Sequence, residues 1–188
     1  MILAYHTIFS AYGFWLPNDQ RGSWSDFVRS WELLRFGKAT FTEIRASVAR
    51  RPFDPALREA ARRALKHPTV RFASAETQAI ADGFAQAIEE SGYTVHACSI
   101  LPEHVHIVAL RHAHKIEQIV AHVKGRATQH LKRAGLWPHA HSPWAQDSWD
   151  VYLDSTADIV RSIPYVEGNP EKERLPRQSW PFVTPYPV

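Results

Sequence analysis

Two imidazoles stand two residues apart in the apolar run "SILPEHVHIVAL": His104 and His106, alternating with Val105 and Ile107. Side chains alternate across a β-strand, so the histidines face one side and Val105 and Ile107 the other. Imidazoles presented together by a rigid strand can share a ligand, and a metal ion is the ligand that most needs such a platform. The same spacing recurs at His112/His114 and His139/His141, but those pairs fall at a strand exit and in a proline-flanked loop, where imidazoles are simply solvated. Two histidines make a partial site, and a third group has to come from elsewhere in the fold. By pattern alone, satisfied structural histidines are the ordinary meaning of such a pair.

Other chemistries find less support. Paired-histidine phosphodiesterases need His-x-Thr/Ser twice, which "HVHIV" does not supply, and there is no glycine-rich phosphate loop. The single cysteine, Cys98, excludes an internal disulfide and sits in an apolar run, reading as a small core residue in a reducing, cytoplasmic setting. The start "MILAYHTIF" has no basic leader, and no apolar run approaches the ~20 residues of a membrane span, so the chain reads as soluble with no membrane partner. The net charge of +3 is uneven: residues 18–73 hold 12 Lys and Arg against 6 Asp and Glu, the remainder 10 against 13. A polyanion contacting one region would explain the asymmetry, as would a solvated helical face. Within that segment Arg58, Arg62, Arg63 and Lys66 are candidate phosphate contacts on a short helix, and Trp24 lies among basic residues where it could stack an unpaired base. Lys124 and Arg126, on a later helix, are further candidates; solvation and core packing are the alternatives throughout.

The elements that must position these residues can be read from pattern. A first strand occupies "LAYHTIFSAYGFW" and leaves through "LPNDQRG". In "FDPALREAARRALKHP" Asp54 can cap, Pro55 fits the first helical position and Pro68 stops the helix. "SAETQAIADGFAQAIEESG" predicts a helix from Ser74 to a stop at Gly92, with Ile80, Phe84 and Ile88 on one face. Strands "YTVHACSIL" and "HVHIVAL" meet at a Pro102-Glu103 turn, and residues 115–133 repeat apolar positions with helical period. "SWDVYL" reads as a strand, and Ser155 or Thr156 can cap a segment running into "YVEGNP". The order strand-helix-strand-strand-helix-strand predicts an α+β, ferredoxin-like split βαβ core, an antiparallel sheet with helices on one face, in a single domain over 1–188 with an inserted basic segment at about 18–73.

"LPEHVHIV" resembles the His-hydrophobic-His motif of HUH endonucleases, specifically the single-tyrosine transposases and the REP-associated tyrosine transposases. That family pairs the motif with a downstream helix bearing a tyrosine and, four residues later, Gln or Asn, often before proline. "YVEGNP" supplies Tyr165, Asn169 and Pro170 at that spacing, and "YHTIF" and "WPF" are similar to the relatives' first strand and end. The resemblance implies a DNA nickase and strand transferase. In it His104, His106 and Asn169 hold Mg2+ or Mn2+, and Tyr165 attacks single-stranded or hairpin DNA to leave a 5′-phosphotyrosine and a free 3′-hydroxyl. The chain is read as a cytoplasmic, nucleoid-associated monomer or homodimer, its oligomeric state not borrowed from relatives that lack the inserted segment. Zn2+ would also suit a nitrogen-rich ligand set. Glu103 could orient a ligand histidine, or be an exposed turn carboxylate. Lys124 or the metal's charge could assist loss of the phenol proton. Pro164 and Gly168 depart from the pattern: Pro164, directly before Tyr165, would kink a helix or start a new one, and Gly168 lowers helix propensity just before Asn169. Two other functions remain open: a domesticated, non-cleaving binder of hairpin DNA or RNA, and a structural metal-binding protein.

Overall fold

The structure, a computed structural model, describes residues 1–16 and 54–187. Its elements are β1 (Ala4–Ala11), α1 (Pro55–Arg63), α2 (Ser74–Ser91), β2 (Val95–Ile100), β3 (His104–Leu110), α3 (Ile116–Arg133), β4 (Trp144–Leu153), α4 (Thr156–Glu167) and α5 (Asn169–Lys172). The chain divides into two compact units, Met1–Ser10 with Arg71–Val188, and Ala11–Val70.

The larger unit is α+β and ferredoxin-like. Its sheet order is β2-β3-β1-β4, and β3 pairs antiparallel with both β1 and β2. The Leu3–Leu153 backbone bond and the Thr7–Asp150 side-chain bond step in opposite directions along their strands, so β4 runs antiparallel to β1. Register sets the faces. Phe9 lies opposite Val105, and its ring meets Phe84 of α2 and Trp144, which places α2 on that side of the sheet. On the reverse side Ala4, Ala97, Val108 and Leu153 pack with Ile159 and Val166 of α4. The two helices of the split βαβ thus pair on one face, and α4 covers the other, onto which His104 and His106 alternate.

Local chemistry explains the boundaries. Gly92 ends α2 in the left-handed conformation at φ 68, which glycine adopts without Cβ strain. Ala73, rather than Ser74, takes the N-cap position, and the Glu76 side chain accepts from its backbone N–H at 3.1 Å. The tight turn at Pro102-Glu103 closes with a Leu101 N–H bond to the His104 carbonyl. Gly83 lets α2 and α3 approach closely, since a Cβ there would stand 2.5 Å from the backbone of Ala127. The tail shields the free edge of β2. Val183 bridges Val95 in parallel, and the Gln178 amide bonds both the N–H and the carbonyl of Ile100 at 2.8 and 2.7 Å.

The predicted helix through Tyr165 and Asn169 is two helices. Ser155 caps α4 by accepting from Asp158 N–H, and Pro164 sits inside its last turn. Gly168 closes α4, and Asn169 begins α5. Gly168 keeps near-helical angles, φ −83 and ψ −5, so the chain continues in roughly the same course across the break.

In the smaller unit Asp54 caps α1 by accepting from Leu57 N–H at 3.0 Å, and Pro55 begins the helix as predicted. The helix ends at Arg63, short of Pro68, and Ala61 packs with Leu16, Ala64 and Leu65. Trp24 and most of the basic segment at 18–73 lie outside the described residues.

Candidate functional site

The site is built on the middle of the sheet. Ile8 lies opposite His106 and Ser10 opposite His104, while His6, two residues before Ile8 on β1, shares their face. His6 Nε2 and His106 Nδ1 are 3.0 Å apart, and their rings stack with centroids separated by 5.3 Å. The His104 ring lies 5.0 Å from that of His106. Burial pushes the His106 imidazole down to about 2, with the neighbouring charges of His104, His6 and Lys172 adding to the effect, and burial alone pushes His6 down to about 4. Both rings are therefore neutral at ordinary pH. A neutral imidazole has one donor and one acceptor nitrogen, so where His106 Nδ1 donates to His6 Nε2, His106 Nε2 is the nitrogen left to accept a ligand.

Helix α4 brings Tyr165 over these rings. Its ring centroid is 5.7 Å from that of His6 and 6.1 Å from that of His106, both in edge-to-face geometry. The tyrosine remains 50% exposed, and its hydroxyl makes no hydrogen bond among the described residues. Asn169, by contrast, is buried, and its Oδ1 accepts from Lys172 Nζ at 3.1 Å. The same ammonium sits 4.1 Å from the Tyr165 ring centroid, a cation–π contact that ties α5 to the end of α4. On the other flank Glu173 Oε1 lies 3.9 Å from His104 Nε2.

Two neutral imidazoles offer nitrogen and the Asn169 amide offers an oxygen, a mixed donor set that a divalent cation could use. Among the described residues no group of three or more His, Cys, Asp and Glu side chains is arranged to hold a metal alone. The donors on offer are two imidazoles and one buried amide, whose Nδ2 has no hydrogen-bond partner among the described residues.

The remaining sequence candidates lie elsewhere. Glu103 turns to Arg71, pairing at 3.1 Å, and the orienting contact to a histidine comes from His6 instead. Lys124 is buried, and its ammonium donates to the carbonyls of Ala145, Gln146 and Asp147 at 2.9, 3.3 and 3.1 Å, which removes it both as a phosphate contact and as a proton acceptor for Tyr165. Three N–H donors meet three backbone acceptors at the start of β4, so its role is structural. Arg126 is engaged by Glu90 at 2.8 Å and Gln129 at 2.7 Å. Arg62 and Arg63 pair with Glu59 on α1, near Arg58, and Lys66 is exposed just beyond that helix.

Two site residues, His6 and Lys172, escaped the sequence reading. His6 has a usable signal, the sole imidazole in an otherwise apolar and hydroxylic strand "AYHTIFSA". Lys172 has none, because an exposed lysine after a helix break is the commonest of surface residues.

No family model matches the chain, and neither does any curated protein. Among solved structures, a REP-associated tyrosine transposase bound to a REP hairpin is similar at 19% identity and a TM-score of 0.47, over 63% of this chain and 70% of that one. A candidate transposase from Deinococcus radiodurans R1 is similar at 12% identity and a TM-score of 0.40, over 89% of this chain and 91% of that one.

Proposed function

We propose that the protein is a metal-dependent endonuclease and transesterase for single-stranded DNA, acting at hairpins or their flanks in the manner of a transposase. The observation that carries this reading is the meeting of a half-exposed tyrosine, whose hydroxyl is unbonded among the described residues, with buried neutral imidazoles on one face of the sheet. The motif resemblance supplies the substrate class.

A phosphodiester is a poor electrophile until charge is withdrawn from its oxygens, and Mg2+ or Mn2+ supplies that withdrawal when bound. His104, His106 and Asn169 are the residues that would hold the ion, and as neutral ligands they leave its full charge to act on the phosphate. With His106 Nδ1 donating to His6 Nε2 across their 3.0 Å contact, His106 Nε2 would be the nitrogen that holds the ion. Tyr165 loses its phenol proton and its oxygen attacks phosphorus. The bond to the 3′-oxygen breaks, and that oxygen leaves as a free 3′-hydroxyl after taking up a proton. The product is a 5′-phosphotyrosine, which stores the energy of the broken bond so that a later 3′-hydroxyl can reverse the step without ATP.

Incubation of the protein with labelled hairpin-bearing single strands and Mn2+ tests this. A protein–DNA adduct that survives denaturation in the wild type and is absent in Tyr165→Phe is the expected result. Equal adduct in both proteins would assign the nucleophile elsewhere, and hairpin binding without adduct would make the chain a non-cleaving module.

A further inference from the structure

Asn169 is 6% exposed, and its two amide ends are treated unequally. Oδ1 accepts from Lys172 Nζ at 3.1 Å, whereas Nδ2 is buried with no partner among the described residues. An ammonium offers only N–H donors, so the end of the amide that faces it is the oxygen. A buried NH2 group without an acceptor is unfavourable and is the exception in folded proteins. Turning the amide by half a turn would not cure this, because it would set NH2 against ammonium. The amide is thus held through Oδ1 by the Lys172 ammonium alone among the described residues, and Nδ2 adds nothing to hold it in that orientation.

A divalent cation bound with His104 and His106 makes the same demand as Lys172, since a carboxamide ligates hard cations through oxygen. One side chain thus has a single oxygen and two claimants. Resting on the metal-site reading above, we propose that Lys172 is a positioning residue that competes with the metal for the Asn169 amide oxygen. Without metal it holds the amide toward α5 and its own ammonium over the Tyr165 ring. Metal binding draws the oxygen away and releases the ammonium beside Tyr165, where a DNA phosphate is its natural counter-ion. Metal and substrate loading are coupled in this way through one lysine.

Mn2+ titration of the full chain, read by electron paramagnetic resonance of the free ion, tests the competition without any turnover. Lys172→Met, which keeps the aliphatic stem, is expected to bind Mn2+ about tenfold more tightly than the wild type, as the loss of a charged hydrogen bond to the ligand atom implies. In an Asn169→Ala background the same substitution should change affinity by less than about twofold. An equal gain in both backgrounds would mean that removing a nearby positive charge explains everything, and would overturn the competition. So would an unchanged or weakened affinity in Lys172→Met when the wild type binds Mn2+ and His106→Ala does not. A wild type whose Mn2+ affinity is unaffected by His106→Ala would instead remove the metal site itself.

Discussion

Two tyrosines in this protein stand among histidines, and they are arranged to opposite ends. Tyr93 is buried, and its hydroxyl lies 3.0 Å from His114 Nδ1 and 3.3 Å from His122 Nδ1. His122 in turn reaches Glu90 at 3.1 Å, and Arg126 holds that carboxylate at 2.8 Å. The carboxylate accepts from His122 Nε2, which leaves Nδ1 to accept from a hydroxyl, and the proton of Tyr93 is committed within a chain that ends in an ion pair. Tyr165 has the converse setting. Its ring leans on His6 and His106, but the residue is half exposed with its hydroxyl unbonded among the described residues, and the imidazoles beneath it are dry enough to stay neutral. Proximity of phenol and imidazole therefore says little by itself. What separates a structural bracket from a candidate reactive site is whether the polar atoms are already spoken for.

The comparison can be broken most directly at the phenols. Tyr165→Phe is expected to lower covalent adduct formation with hairpin DNA by on the order of a thousandfold or more, the scale seen when an enzyme loses its nucleophile. Tyr93→Phe should leave adduct formation at the wild-type level, and a loss there would erase the distinction between the two clusters. The histidine pairs offer the next largest contrast. His104→Ala and His106→Ala should each reduce cleavage by roughly a hundredfold while hairpin affinity measured by gel shift changes little, because metal activation acts mainly in the transition state. His112→Ala and His114→Ala should cleave normally, and a matching defect in them would undo the assignment.

Acid sharpens the contrast through stability. The folded His6 imidazole is held at about 4 against an ordinary value near 6.5, so the unfolded chain binds more protons between those values. Its contribution to stability is present above pH ~6.5 and is lost as pH falls toward 4, amounting to roughly 3 kcal/mol for a shift of this size. Denaturant melts in chelating buffer at pH 7 and pH 4.5 should show this loss in the wild type and a flatter profile in His6→Gln; parallel profiles would contradict it. The smallest effect is the stability cost of Tyr93→Phe. Losing the hydroxyl leaves His114 Nδ1 to find another partner, while His122 Nδ1 keeps Ser91 Oγ at 3.3 Å, which should lower unfolding free energy by about 1 kcal/mol at neutral pH. Tyr165→Phe should be neutral in the same assay.

Much of this molecule is legible one residue at a time. Asp54-Pro55 starts a helix and Gly92 stops one, Pro102-Glu103 turns the chain, and the alternation of "HVHIV" puts His104 and His106 on the face away from Val105, whose side of the sheet carries α2. These features depend on backbone conformation within a few residues, and local sequence specifies that conformation directly. The same holds for the order of strands and helices, which implies the ferredoxin-like core once each element is recognised.

Only the tertiary structure decided which distant groups meet. Lys124 reads as a solvent-facing cation on an amphipathic helix, yet it is buried where the start of β4 places three carbonyls to accept from its ammonium. Glu103 is adjacent to the motif in sequence but is drawn to Arg71, while His6, a hundred residues from His106, lies against it because β1 pairs with β3 in one particular register. Lys172 meets Asn169 at three-residue spacing within α5, and it reaches Tyr165 because the chain keeps its course across Gly168. Strand register and helix docking are settled by the fit of whole faces and not by neighbours in the chain, and so the motif was readable in advance while the company it keeps was not.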